Sequence, residues 1–206
     1  MTDAPAPLDS RRGRRVLLGL AALFFVPLAV AFWLYYGDSG WRPQGTTNKG
    51  DLLEPARALP AAAWLDADGQ PLGRPLLRER WTVLYVGDGR CDERCREALH
   101  LSRQTRIALN KDMDRVERVF LATASCCDEA FLGREHADLT VVQLETGAAR
   151  GFLDAFPVYA GVPVTEAGRL YVIDPLGNLV LSYPASVPDK ALLQDLKKLL
   201  KLSHVG

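Results

Sequence analysis

The sequence predicts an α/β domain, a central mixed sheet flanked by helices, behind one N-terminal membrane-spanning helix. Three observations predict it. An arginine cluster precedes a long stretch without a single charge at residues 16–36. A short apolar run, Val83-Leu84-Tyr85-Val86, ends in glycine just ahead of two cysteines and a helical pattern. A second apolar run and two later strands then give the order strand, helix, strand, hairpin, helix.

The chain has 206 residues, of which 48% are hydrophobic, room for one membrane helix and one domain of ordinary size. Residues 1–15 read as a short cytoplasmic tail. Arg11, Arg12, Arg14 and Arg15 flank residues 16–36, whose length matches the roughly 30 Å of a bilayer core. Basic residues on that side keep the N-terminus in the cytoplasm, and Phe32, Trp33, Tyr35, Tyr36 and Trp41 supply aromatic anchors at the far interface. Trp33-Leu34-Tyr35-Tyr36 does not resemble a small-x-small cleavage site, so the segment reads as a retained anchor. The expected location is therefore the bacterial inner membrane, single-pass, with the domain in the periplasm. Without the four arginines and with Asp3 and Asp9 set aside, 21 basic residues face 23 acidic ones, a net of −2 that argues against nucleic acid.

Residues 37–60, rich in Gly, Pro, Thr, Asn and Gln, read as a tether, and residues 61–206 as the domain. Residues 63–72 suggest a short hairpin around Asp66-Ala67-Asp68-Gly69. Strands are expected at residues 118–123 and 139–144, a short helix at 149–156, and a hairpin pairing 170–174 with 179–183. The last element, residues 189–202, carries Leu192, Leu193, Leu196, Leu199 and Leu200 on one side and should cover the sheet.

The chemistry concentrates at Gly87-Asp88-Gly89-Arg90-Cys91-Asp92-Glu93-Arg94-Cys95. A helix starting near Cys91 places its thiol at the positive end of the peptide dipoles, which favours the thiolate, and Arg90 and Arg94 add positive charge. Four residues on, Cys95 shares its face, so the two sulfurs can form a disulfide or share a soft metal ion. A purely structural disulfide is the alternative. Cys126-Cys127 follows the second strand, whose carboxyl end lies at the same edge of a parallel pair as the first, so both should lie near Cys91 and Cys95. They read either as a relay partner or extra thiolate ligands for the pair, or as an inert buried thiol and a surface one. His100 should turn away from the sulfurs, His136 lies in a loop that could swing toward them, and His204 sits near the terminus. Arg94, Arg96, Arg103 and Arg106 read as the solvated side of the cysteine helix.

This order of elements is that of a thioredoxin-like domain. Together with the anchor, the Cys-x-x-x-Cys after a strand and glycine, and Leu170-Tyr171-Val172-Ile173-Asp174-Pro175-Leu176-Gly177-Asn178, it resembles the Sco (SenC-type) family of cytochrome oxidase assembly proteins over residues 63–202. The resemblance implies that Cys91 and Cys95 are the family's paired sulfurs, acting in thiol–disulfide exchange or, with a distant histidine, on Cu(I). It implies as partners an apo copper subunit of a cytochrome oxidase or a copper chaperone. A Cu(I) carrier without turnover and a non-catalytic assembly scaffold are the competing functions. The family places Pro after each cysteine, where this chain has Asp92 and Arg96, and Glu166 stands at the histidine's position. A carboxylate is a hard ligand, mismatched to Cu(I). Pro163 invites comparison with the cis-proline that faces the cysteines of thioredoxins.

Overall fold

The computed structural model describes residues 10–37, 47–124, 127–144, 149–188 and 190–203. The chain divides into two units, Met1–Gly45 and Thr46–Gly206. In the first, helix α1 spans Ser10–Tyr36. Its segment Gly13–Tyr36 has a mean hydropathy of 2.5 and is long and apolar enough to cross a membrane. Pro27 lies inside it, where a helix in lipid tolerates the missing N–H.

The second unit is built on one seven-stranded sheet of β1 (Asp51–Ala58), β2 (Trp64–Leu65), β3 (Trp81–Gly87), β4 (Val116–Ala122), β5 (Leu139–Leu144), β6 (Arg169–Ile173) and β7 (Asn178–Pro184), in the spatial order β1-β7-β6-β3-β4-β5-β2. The register runs Leu84↔Val119 and Tyr85↔Phe120 between β3 and β4, and Phe120↔Val141 between β4 and β5, all parallel. The other pairings are antiparallel. Helix α2 (Glu93–Ala108) makes the crossover from β3 to β4, as the sequence predicts. A 3-10 turn at Asn110–Arg115, which the pattern break at Asn110-Lys111-Asp112 foreshadows, completes it. Helices α3 (Glu129–Glu135), α4 (Ala149–Leu153) and α5 (Lys190–Leu202) complete the order.

β3 is buried at every position, because its side chains alternate into two cores. Val83 and Tyr85 join Phe120, Leu170 and Val172 beneath α2 and α5. Leu84 and Val86 join Leu121, Tyr171 and Ile173 on the opposite face, against Trp64, Phe152 and Phe156. Leu192, Leu196 and Leu200 bring α5 onto the sheet, as its apolar side predicts.

Three elements depart from the sequence reading. Residues 51–58, read as tether, form β1 and pair with β7, Asp51↔Ser182 and Leu52↔Leu181. Its signal is weak because only Leu53 turns inward and the register shifts between Leu52 and Arg57. The hairpin near Trp64 shrinks to a bridge between Leu65 and Pro71, and β2 instead pairs with β5. Residues 129–135 form α3, capped by the Asp128 carboxylate accepting the Phe131 N–H at 3.1 Å.

Two buried polar knots hold the layers. The Asp195 carboxylate of α5 accepts the Tyr183 hydroxyl at 2.8 Å and the Lys49 and Gly50 N–H groups at 2.7 and 3.0 Å. Gly50 is required there, since a Cβ would come within 2.5 Å of the Tyr183 ring. On β4, Arg118 is 1% exposed and donates to the Ser102 hydroxyl, the Leu99 carbonyl and the Asp138 carboxylate. Its Nη2 also lies 3.3 Å from His136 Nδ1. A guanidinium only donates, so Nδ1 accepts and the ring proton of His136 sits on Nε2.

Candidate functional site

Cys91 and Cys95 are joined in a disulfide with their Cα atoms 5.0 Å apart. The helix begins later than expected, at Glu93 rather than near Cys91. Asp92 is its N-cap, and the Asp92 carboxylate accepts the Cys95 N–H at 3.0 Å. Asp92, where the family that the sequence resembles has proline, thus has a local reason, since its carboxylate satisfies a backbone N–H in the first turn of α2 and a proline ring has no oxygen to do so. Cys91, held by its N–H to the Asp88 carbonyl at 3.1 Å, adopts the left-handed conformation at φ 51°. An L-residue there is strained, a condition that recurs at functional sites.

The pair is not presented on the outer surface. Cys91 and Cys95 are 1% and 2% exposed, and they form the floor of an open pocket of about 430 Å³. Tyr85 and Gly87 from β3 and Asp88, Arg90, Asp92 and Arg94 from the cysteine loop and α2 line one side. Thr165 and Glu166, from the loop before β6, line the pocket as well, so the position read from sequence as the histidine's borders the same pocket as the sulfurs. The charges pair locally: Arg90 chelates Asp88 at 2.8 Å and Arg94 lies 3.5 Å from Asp92. The Asp88 carboxyl is held below its usual range by hydrogen bonds from the Arg90 side chain and backbone. Burial, then the Asp92 charge, pushes the Tyr85 phenol up to about 12, so it stays protonated.

The remaining candidates separate. Cys126 lies outside the described residues, as does His204. Cys127 is half-buried, disulfide-bonded, and opens onto a second cavity of about 250 Å³ with Leu132, His136 and Leu139. Its loop is nevertheless tied to the cysteine loop, since the Asp128 N–H donates to the Gly89 carbonyl at 3.1 Å. Arg96 joins the same link, donating to the Cys91 carbonyl at 3.2 Å and to Asp128 at 2.9 Å. It lies over the Phe131 ring at 4.2 Å, and Arg106 donates to the Val116 carbonyl, so α2's arginines are not simply solvated.

His136 is no swinging ligand. It is 3% exposed, caps α3, and burial followed by the Arg118 charge lowers it to about 4. Its Nδ1 lone pair is taken by Arg118 and its Nε2 is buried, so neither nitrogen is free to swing toward the sulfurs. His100 is exposed on α2, away from the sulfurs as expected. Pro163 is exposed and its peptide bond is trans, the cis bond among the described residues being Glu54–Pro55. Sequence reasoning missed Tyr85 and Thr165 as pocket residues. An apolar strand position gave no hint that a phenol would reach the site, whereas Asp92 just before a helical pattern was a readable capping signal.

The donors at this site do not fit copper in the manner a soft-ligand set would. The two sulfurs are bonded to each other, Glu166 on the same pocket is a hard carboxylate, and among the described residues no three His, Cys, Asp or Glu side chains converge as a ligand group. What the arrangement can do chemically is open and close one sulfur–sulfur bond at the bottom of a water-accessible pocket.

Comparison with known proteins bears on the fold. No curated protein matches the chain. The fold is close to that of the Arabidopsis thaliana ScoI solved with copper bound, at 18% identity, TM-score 0.58, covering 70% of this chain and 99% of that one. It is equally close to apo Sco1 from Thermus thermophilus, at 16% identity, TM-score 0.57, covering 76% and 99%. A thiol:disulfide interchange protein from Bacteroides aligns at 14% identity, TM-score 0.53, covering 72% and 91%. The family model described as transmembrane-like, thioredoxin-like, C-terminal domain matches residues 81–203, from the first residue of β3 to just past α5. The chain therefore belongs to this transmembrane-like, thioredoxin-like family, on a fold it shares with the Sco proteins.

Proposed function

We propose that this protein is a membrane-anchored thiol–disulfide exchange factor acting in copper-site assembly of a respiratory cytochrome oxidase, through Cys91 and Cys95. One observation carries the reading: a disulfide whose two sulfurs floor an open pocket immediately ahead of a capped helix. A bridge that only braced the fold would have no use for such an opening. Similarity to copper-bound Sco structures and to a thiol:disulfide interchange protein supports the class of work.

In the reduced protein, Cys91 attacks one sulfur of a partner's disulfide as thiolate. The partner's bond breaks, its second sulfur leaves as thiolate, and a mixed disulfide forms. Cys95 then attacks Cys91, releases the partner as a dithiol and leaves the pair oxidised, the state seen in the structure. The partner gains two electrons, and a thiol reductant outside the protein restores the pair. Partners of fitting chemistry are cysteines of an apo copper subunit or of a copper chaperone, reduced before they take up metal. The arginine-flanked apolar helix supports an orientation with the N-terminus inside and the domain in the periplasm. Copper as Cu(I) at Cys91 and Cys95, with Cys126 or Cys127 as further ligands, is the alternative that the donor set supports less well.

The test is exchange with a defined disulfide peptide by the full-length reduced protein. The wild-type chain is expected to reduce it stoichiometrically, Cys91→Ser to lose the reaction, and Cys95→Ser to trap a mixed disulfide. A wild-type protein inert toward the peptide, yet holding one Cu(I) tightly, would replace this reading with the carrier.

A further inference from the structure

The pocket contains one group that neither the helix dipole nor the charged rim explains. Tyr85 belongs to the same buried cluster as Cys91 and Cys95 and lines the same pocket. Its ring lies flat along the end of β3: a Cβ on Gly87 would come within 2.8 Å of the ring and 3.3 Å of its hydroxyl. Glycine at 87 is therefore what lets the ring run toward the cysteine loop instead of away from it. Phe120, with its centroid 5.6 Å away, backs the ring from the parallel neighbour. No hydrogen bond contributes to the electrostatics of the hydroxyl, which feels burial and the charges of Asp92 and Arg94.

Several other donors near the sulfurs are committed. The Cys91 N–H goes to the Asp88 carbonyl, the Cys95 N–H to the Asp92 carboxylate, and Arg90 and Arg94 to carboxylates. The capping carboxylate also partly cancels the helix's positive end, the usual source of thiolate stabilisation. The phenol, held protonated, is a donor lining the pocket, alongside the Thr165 hydroxyl on the far loop.

We propose that Tyr85 is a positioning residue, its hydroxyl donating a hydrogen bond to the thiolate formed when the Cys91–Cys95 bond opens. On reduction by a dithiol, two electrons enter, the sulfur–sulfur bond breaks, one sulfur takes a proton and the other stays anionic. The phenol keeps its proton and shares it. This rests on the exchange function above, but it is measurable without turnover.

The experiment is peptide-resolved alkylation of Cys91 and Cys95 against pH in the full-length reduced protein, for the wild type and Tyr85→Phe, which removes the hydroxyl and keeps the ring. Loss of the hydrogen bond is expected to raise the reactive thiol's pKa by about one unit, a tenfold lower thiolate fraction near neutral pH. The same tenfold converts to a potential about 30 mV more negative for a two-electron couple. Superimposable alkylation profiles and equal potentials would overturn the proposal. Should the variant fail to fold, wild-type protein with ¹³C at tyrosine Cζ supplies the answer: the Tyr85 signal must shift between oxidised and reduced states, and a stationary signal overturns the proposal equally. A profile that shifts in a protein inert toward disulfide peptides would keep Tyr85's role and remove the exchange function, so the two fail separately.

Discussion

Of the places where arginine meets carboxylate in this domain, two contrast sharply in their surroundings. At the pocket, Arg90 pairs with Asp88 and Arg94 with Asp92, each two residues along the chain and open to water. Under α2, Arg118 is fully enclosed and reaches Asp138, Ser102, Leu99 and His136 from distant parts of the sequence. Exposed pairs between near neighbours contribute little to stability because water screens them, whereas a buried cation left without its partner is strongly destabilising. The pocket charges therefore tune the sulfurs at little structural cost, and the enclosed ones fix the fold.

The contrast breaks most sharply at Asp138. Asp138→Ala should destabilise the domain by roughly 3 kcal/mol, the low end for a buried pair because Asp138 keeps about a third of its side chain in solvent. Chemical denaturation checks this, and the potential of the Cys91–Cys95 pair should stay where it is in the wild type. A potential that moves with the stability would erase the distinction between the two regions.

Acid sharpens it next. His136 is held at about 4, below the usual value near 6.5, so the unfolded chain binds more protons than the folded one between those values. Stability contributed by the neutral ring is present above pH 6.5 and drains as pH falls toward 4, by up to about 3 kcal/mol. Asp138, for which Arg118 outweighs the opposing effect of burial, is also held low, and its contribution is lost at still lower pH. Melting temperature against pH measures the window, and His136→Phe should flatten the curve between 6.5 and 4 even though it lowers it overall.

The smallest effect belongs to the pocket. Asp92→Ala removes the cap on α2 and should cost about 1 kcal/mol. It also removes a negative charge beside the pair, so the thiolate should form at lower pH and alkylation near neutrality should quicken. Stability and reactivity moving in opposite directions is the signature of the pocket, and both moving down together would contradict it.

Much of this was legible in advance where apolar period and glycine act together. Val83 to Gly87, the cysteine helix and the hairpin around Pro175-Leu176-Gly177-Asn178 are each written in their own residues. β1 was not, because an edge strand with Pro55 in it and one inward side chain draws its identity from β7 and not from itself. The strand at residues 118–123 was readable, but the buried role of Arg118 was not, since its partner Asp138 lies twenty residues away. The cysteine pair was found from spacing alone, but its depth was not: whether two sulfurs sit on a surface or at the foot of a pocket depends on Thr165 and Glu166, a loop about seventy residues later in the chain.

The knot at Asp195 has a bearing on how the domain comes into being. Its carboxylate receives N–H groups 146 and 145 residues upstream, and β1 finds its neighbour only in β7. A chain emerging from its N-terminus thus displays β3, α2 and β4, with both cysteines, well before the buckle that fastens the first strand to the last helix can close. The bond between Cys91 and Cys95 can accordingly be made on a half-assembled scaffold. Clipping α5 ahead of Asp195 would undo that buckle and also strip Leu196 and Leu200 from the cluster that holds Cys91 and Cys95.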